Sequence, residues 1–352
     1  MTPRERVLAA LDRRPVDRIP TDYWGTIEMT EKLLRHFGVE DTIELWPRLR
    51  VDKILRVTPT YVGPPLVDTP ELRVDYWGVH RAPQPYADGV YWEMCHWPIR
   101  ECQSVEEIEA TYAWPSADWF DFSGVAEACA KHAEYAVEGG YMSPFLMFNC
   151  IRGLEASLLD LVANPDIAEY CLSRICGFLY EYHRRLFEAG GGRIDITQVT
   201  DDFGCQQGLL ISREAFRRYF APHYRRLIGL AKEFGIRVFH HDDGAMGELI
   251  PDLVELGIDV LNPIQWRLPG MDPSRLKAEF GDRLSFHGGI DNQHVLPFGT
   301  LEEVEAEVHF CLSTLGRGGT GYVLAPCHNV QAITPVENVV RMYETAYHEG
   351  RT

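Results

Sequence analysis

The sequence predicts an α/β fold: a single (β/α)8 TIM barrel over residues 1–352, with an N-terminal helix and a β-hairpin inserted at 61–97. Three observations predict it. Short β-branched runs alternate with helix-period stretches, close to six units from about residue 140 on and two more ahead of them. Ionisable residues gather where the strands stop, which is where barrels build their sites. No GxGxxG follows an early strand, which argues against a doubly wound open sheet.

The elements follow in order. Thr2-Pro3 opens a helix over 3–13, with proline at an early helical position. Ile19 to Trp24 reads as the first strand, ending in Asp22, Tyr23 and Trp24 with Glu28 beyond. A helix over 28–37 stops at Gly38, and 51–58 reads as a strand or short helix. From Tyr61 to Trp97, prolines, glycines and alternating residues indicate the hairpin, which carries Trp77, Trp92 and Trp97. It is either an aromatic-packed satellite or a lid over a planar ligand. Helices at 104–112 and 123–137 precede a strand at Met142–Asn149, with Arg152 just past it. A helix runs on to Leu161, and a long one from Asn164 to about 189 is stopped by three glycines. Asp195–Val199 is a strand leading to Asp201 and Asp202, and Ser212 caps a helix that reaches Phe234. Val238 and Phe239 lead into His240, His241, Asp242 and Asp243; a helix and a strand at Asp259–Ile264 follow, with Gln265 behind. The rest alternates regularly: a helix at 273–280, a strand at Leu284–His287, a helix at 300–315, a strand at Gly321–Ala325 and a final helix at Pro335–Glu349.

Composition narrows the function classes. Hydrophobic residues make up 45% of the 352, enough for a large core. With 52 acidic against 34 basic residues the net charge is −18 and no basic cluster breaks it, so nucleic acid is not an expected partner. The nine cysteines show no CxxC spacing, which points to a reducing cytoplasm rather than a disulfide framework. No apolar run approaches the roughly 18 residues of a membrane span.

Once strand ends converge, they bring together Asp201 and Asp202, the His240–Asp243 run, His287 and Asp291, and Cys327, His328 and Asn329. Alternation sends His240 and Asp242 one way and His241 and Asp243 the other, so one pair faces the barrel axis and the other the helix layer. Imidazole, carboxylate and thiolate suit zinc, and His241, Asp243 and Cys327 would leave a fourth position open. The competing reading is a set of hydrogen-bonded polar residues that orient a substrate, with Cys327 an inert thiol. Only one of the adjacent Asp201 and Asp202 enters the pocket; the other role is a turn or capping aspartate. Arg152 either holds a carboxylate or pairs with an acidic neighbour.

Several separated blocks carry a resemblance: RERVLAALDRRPVDRIP, RGLEASLLDL, TDDFGCQQGLLISREAFRRYFAPHYRRLI, HHDDGAMGELIPDLVELGIDVLNPIQ, SFHGGID and LAPCHNVQAITPVENVVRMYE. Their order resembles the uroporphyrinogen decarboxylase superfamily over essentially the whole chain. The resemblance implies a single barrel that is either a porphyrinogen decarboxylase or a cobalamin-linked methyltransferase. The decarboxylases' arginine-rich block is absent after the first strand, where this chain reads DYWGTIEMTEKLL. An octa-anionic porphyrinogen without those arginines fits an acidic protein poorly.

The methyltransferases resemble the chain better. Their His-x-Cys zinc pair falls on His241-Asp242-Asp243, with Asp243 where cysteine would stand, and Cys327 lies near their distant cysteine. A carboxylate in place of a thiolate suits an ether or hydroxyl oxygen better than a thiol. The resemblance therefore implies methyl transfer from a small methylated compound, such as a methoxylated aromatic, to a corrinoid (cobalamin) on a partner protein. In that reading His241, Asp243, Asp202 and Asn329 are catalytic, and zinc sits on His241, Asp243 and Cys327. Substrate is bound among Tyr23, Trp24, Glu28, Asn149, Arg152, Asp201, His240, Gln265, His287 and His328. The alternatives are a metal-dependent decarboxylase or lyase of a small carboxylic acid, clamped by Arg152, and a non-catalytic tetrapyrrole or corrinoid-binding protein. A homodimer is left open.

Overall fold

A computed structural model describes residues 1–86 and 89–352; Ala87 and Asp88, inside the expected hairpin, lie outside the described residues. Seven parallel strands form one curled sheet in sequence order: β1 (Ile54–Val57), β2 (Ala136–Met142), β3 (Ile196–Val199), β4 (Arg237–His241), β5 (Val260–Asn262), β6 (Ser285–Ile290) and β7 (Tyr322–Pro326). β3, β5, β6 and β7 are buried at every residue. That is why they read as short apolar runs rather than alternating ones. Helices join them, among them Pro165–Gly190, and Val336–Glu349 follows the last strand.

The expected first strand, Ile19–Trp24, is an extended segment rather than a regular strand. The Thr21 region bridges β7 in parallel: Asp22 N–H donates to the Leu324 carbonyl at 3.0 Å and Leu324 N–H to Pro20 at 2.9 Å. On its other flank Asp52 N–H donates to the Thr21 carbonyl at 2.9 Å. Thr21 N–H finds the Asp52 carboxylate at 3.0 Å, so a side chain takes over part of the ladder. The segment thus hydrogen-bonds toward both ends of the sheet.

The expected strand at Met142–Asn149 is a correction. The strand is β2, which ends at Met142, and Pro144–Arg152 is a helix. Proline fits its first turn, and the buried Asp201 carboxylate accepts from Phe145 and Leu146 N–H at 2.9 and 2.8 Å. A cap supplied 55 residues away is invisible to local pattern. The expected helix at 123–137 is shorter, Val125–Lys131. At the N-terminus Pro3–Leu11 is helical, with Thr2 and Glu5 closing a capping box. The helix expected after Ser212 carries a π turn at Phe216–Phe220 before continuing as Ala221–Glu233.

Residues 67–96 hold a four-stranded antiparallel sheet whose longest pair is His80–Tyr86 with Gly89–His96. Trp77 anchors it by packing edge-on against Phe178 at 5.1 Å. Trp92 lies under Arg73 within the same small sheet. Tyr86 reaches Gln331 on the loop after β7, with its hydroxyl 3.2 Å from the amide oxygen. Among the described residues no helix is long and apolar enough to cross a membrane.

Candidate functional site

At the end of β4 alternation splits two pairs of polar residues. His240 and Asp242 turn to the helix layer, while His241 and Asp243 turn to a cavity of about 550 Å³ that His241 helps to line. His241, Asp243 and His328 place one ligand-type atom each within 4.8 Å of one another. The Asp243 Oδ2 atom stands 3.8 Å from Nε2 of both histidines, and its Oδ1 is buried with no partner. Burial pushes the Asp243 carboxyl up and Asp202 adds to this, against the pull of His241 and His328.

The tautomer of His241 follows from its neighbours. Asn262, at the end of β5, turns Nδ2 toward the His287 carbonyl at 3.2 Å, which accepts only, so the amide orientation is fixed. Asn262 Oδ1 then accepts from His241 Nδ1 at 2.6 Å. His241 Nε2 is left facing Asp202 and Asp243, 3.8 Å from each, the ring orientation that a metal ligand or base requires. Asn262 Nδ2 also meets His287 Nδ1 at 2.8 Å, which makes His287 Nε2 the donor to Asp22 Oδ2 at 3.2 Å. Asp22 further accepts from Lys53 Nζ and Trp24 Nε1, each at 2.9 Å. Burial, which pushes Asp22 up, is outweighed by Lys53 and His287, so its carboxyl is held well below the usual range. A fixed relay thus runs from Lys53 through Asp22, His287 and Asn262 to His241.

Trp24 forms an aromatic wall, its ring 5.6 Å from His241, 5.4 Å from His287 and 6.2 Å from Phe239. Tyr23 lines the cavity but is mostly core, packed on Trp46 at 5.3 Å. Asn329 lines it beside His328. Asp202 stands at the mouth, its side chain 46% exposed, and accepts from Asp243 N–H at 3.0 Å. The loops after β3 and β4 close on each other there. A Cβ on Gly204 would lie 2.4 Å from the Asp243 carbonyl, and one on Gly244, at φ 100°, 2.6 Å from Cys205 N. Gln265 secures the second loop by accepting from Gly244 N–H.

Other predicted residues lie elsewhere. The thiol of Cys327 donates to the Ile264 carbonyl at 3.5 Å and burial pushes it far up, so the close three-atom group contains His328 in its stead. Asp201 is a helix cap that also accepts from Ser143 and Tyr224 hydroxyls at 2.6 and 2.9 Å. Arg152 is buried and spent: it pairs with Asp160 at 2.7 Å and donates to the carbonyls of Ile99, Arg100 and Cys102. The carboxylate clamp expected of it is therefore not formed. Asn149 sits on the Pro144–Arg152 helix and accepts from Ser157. Glu28 stands beside Gly89, at the end of the antiparallel sheet. His287 is fully buried behind Trp24, and His240 is buried against the helices. Sequence reasoning missed Asn262, Lys53, Arg56, Glu138 and Gln198, which lie within strands or just before them. Period-2 patterning places such residues on the inner face, and this was the available signal.

The uroporphyrinogen decarboxylase (URO-D) family matches residues 98–349. A methylcobamide:CoM methyltransferase, MtbA, from Methanosarcina mazei is 22% identical over 98% of this chain and 97% of its own length. A uroporphyrinogen decarboxylase from Thermus thermophilus is 30% identical, over 61% of this chain and 56% of its own. Among solved structures, a methyltransferase from Methanosarcina mazei superposes with a TM-score of 0.69 at 18% identity, covering 99% of both chains.

Proposed function

The chain belongs to the uroporphyrinogen decarboxylase family, and from that premise we propose that it is a corrinoid-dependent methyltransferase. It would move a methyl group from a small methylated compound, a methoxylated aromatic by preference, to a Co(I) corrinoid on a partner protein. Support comes from the full-length similarity to a relative named as a methylcobamide methyltransferase, whereas the decarboxylase alignment spans little more than half of that protein. We read the Thr21 segment as the eighth stave of a barrel and the antiparallel sheet as its insertion at the rim.

One observation carries the reading: the convergence of His241 Nε2, His328 Nε2 and the Asp243 carboxylate, whose Oδ2 stands 3.8 Å from both histidines. This N,N,O set fits a zinc ion with an open fourth position. A zinc ion held there supplies Lewis acidity toward an ether oxygen. Asn262 keeps His241 in the ligating tautomer. Trp24 and Phe239 offer flat apolar surface to a ring, and Asp202, open to solvent, is placed to return a proton to the leaving oxygen. In the transfer the methyl–oxygen bond breaks, its electron pair goes to oxygen, and the Co(I) pair forms the new carbon–cobalt bond. The corrinoid partner docks at the mouth, where the methyl group is exposed.

The test is metal content of the purified protein, together with methyl transfer from methoxylated aromatics to a Co(I) corrinoid, in wild type and His241→Ala. Bound zinc and turnover in wild type, both lost in the variant, are expected. A metal-free wild type, or an unimpaired variant, would overturn the reading. Release of CO2 from a small carboxylic acid without corrinoid would favour the lyase alternative.

A further inference from the structure

We infer that the floor of the cavity is a carboxylate seat built by Arg56 and Lys53, so that the substrate is a two-ended molecule with an anionic tail and a methyl-bearing head. The inference deepens the proposed function and rests on its reading of the cavity as the substrate chamber.

Arg56 lines the cavity from β1 with half of its side chain exposed. Its Nε donates to Glu138 at 2.6 Å, and among the described residues neither terminal nitrogen has a hydrogen-bond partner. A guanidinium anchored by Nε and open at both Nη atoms presents the fork that a carboxylate takes with two parallel bonds. Lys53 lines the same cavity; its ammonium donates to Asp22 Oδ1 at 2.9 Å and to the Tyr23 carbonyl at 2.8 Å, which leaves one of three N–H groups.

The floor also holds carboxylates, and these decide whether an anion is tolerated. Asp22 accepts from Lys53, Trp24, His287 and the backbone of Tyr23 and Ile54. Glu138 accepts from Arg56 on one oxygen and from Gln198 Nε2 at 2.8 Å on the other. Both are turned inward on donors, so an incoming ligand meets N–H groups rather than bare oxygens.

Strand pairing, with one side-chain hydrogen bond across β2 and β3, sets the height of the seat. Arg56 pairs with Glu138, Glu138 is bonded to Gln198, and Gln198 pairs with Phe239. His241 stands two residues further along β4, roughly 7 Å above that layer at the usual rise of a strand. A benzene ring with a methoxy group para to a carboxylate spans a comparable length. Its ring would pass Phe239 and Trp24, which line the same cavity. The missing family arginines and this Arg56 are then consistent: many carboxylates are excluded, and one is received.

Calorimetric binding of para-methoxybenzoate and para-methoxybenzamide to the protein, without corrinoid or turnover, tests this. The two ligands differ only in the charge of the tail. Wild type should prefer the benzoate by about 10- to 100-fold, as charge-assisted bonds imply. Because Arg56→Gln alone strands the buried Glu138, the decisive variant is the double Arg56→Gln, Glu138→Gln, which keeps the pair neutral. It should bind both ligands alike, and Arg56→Lys should keep a reduced preference. No binding of the benzoate to wild type, equal affinities in wild type, or a preference that survives in the folded double variant would overturn the seat; should the double variant not fold, an undiminished preference in Arg56→Lys does so. Loss of methyl transfer with the preference intact would break the proposed reaction and leave the seat standing.

Discussion

Strand β4 ends in two histidine–aspartate pairs of identical composition, interleaved in sequence and opposite in behaviour. His240 donates through Nδ1 to the Val199 carbonyl at 2.8 Å, and Asp242 accepts from Phe203 and Gly204 N–H at 3.0 and 2.9 Å. Their remaining atoms, His240 Nε2 and Asp242 Oδ2, lie 3.6 Å apart, buried and without a hydrogen bond. Burial pushes the imidazole down to about 4 and the carboxyl well up, so for each group it disfavours the charged form. His241 and Asp243 hold the same chemical groups with one oxygen unmatched and one lone pair unused. The helix-side pair is closed in by the fold, with one atom of each residue unbonded, whereas the cavity-side pair faces a space that a partner from outside can enter.

Replacing each aspartate by asparagine gives the sharpest contrast. Asp243→Asn removes the only anion among the three clustered atoms and should weaken zinc affinity by more than about 100-fold, beyond what changes behind a ligand cost. Equilibrium dialysis with a chromophoric chelator measures it, and unchanged affinity would end the distinction between the pairs.

The helix side should show itself next, through pH. His183, on the Pro165–Gly190 helix, accepts from Tyr141 N–H at 3.0 Å, and burial holds it down to about 4 against an ordinary 6.5. Between those values the unfolded chain takes up a proton that the folded one refuses. Stability is therefore complete above about pH 6.5 and falls as pH drops toward 4, by up to about 3 kcal/mol. Denaturant midpoints of wild type and His183→Asn should differ in slope over that window; equal slopes would assign the transition to other groups.

The smallest effect is expected of Asp242→Asn. An amide keeps the acceptor for Phe203 and Gly204, turns an N–H toward His240 and, like the form that burial favours, carries no charge. Stability should stay within about 1 kcal/mol of wild type, with zinc affinity unaltered. A large loss on thermal melting would mean that Asp242 is charged.

The contrast also explains what the sequence could reveal. Strand period and turn residues suffice to put His241 and Asp243 at a strand end, because alternation is local. They do not say which pair faces inward, since that depends on where Thr200, Asn262 and the helices stand. The Met142–Asn149 run looks like a strand because its helix is capped by Asp201, beyond any local window. Arg152 looks like a clamp until the three carbonyls at 99–102 that consume it come into view. Arg56 passes unnoticed in a run read only as a strand or short helix.

The meeting of Gly204 and Gly244 has a consequence for how such a site can change over generations. Neither glycine is open to substitution while the loops stay where they are, because a side chain on either strikes the opposite backbone. Asp202 and Asp243 ride on those two loops and are tied to each other. A wider mouth therefore requires the two loop backbones to move apart rather than a change of side chain. Diversification toward new ligands is thus channelled away from the rim and into the floor, where Arg56, Glu138 and Gln198 lie apart from the clasp.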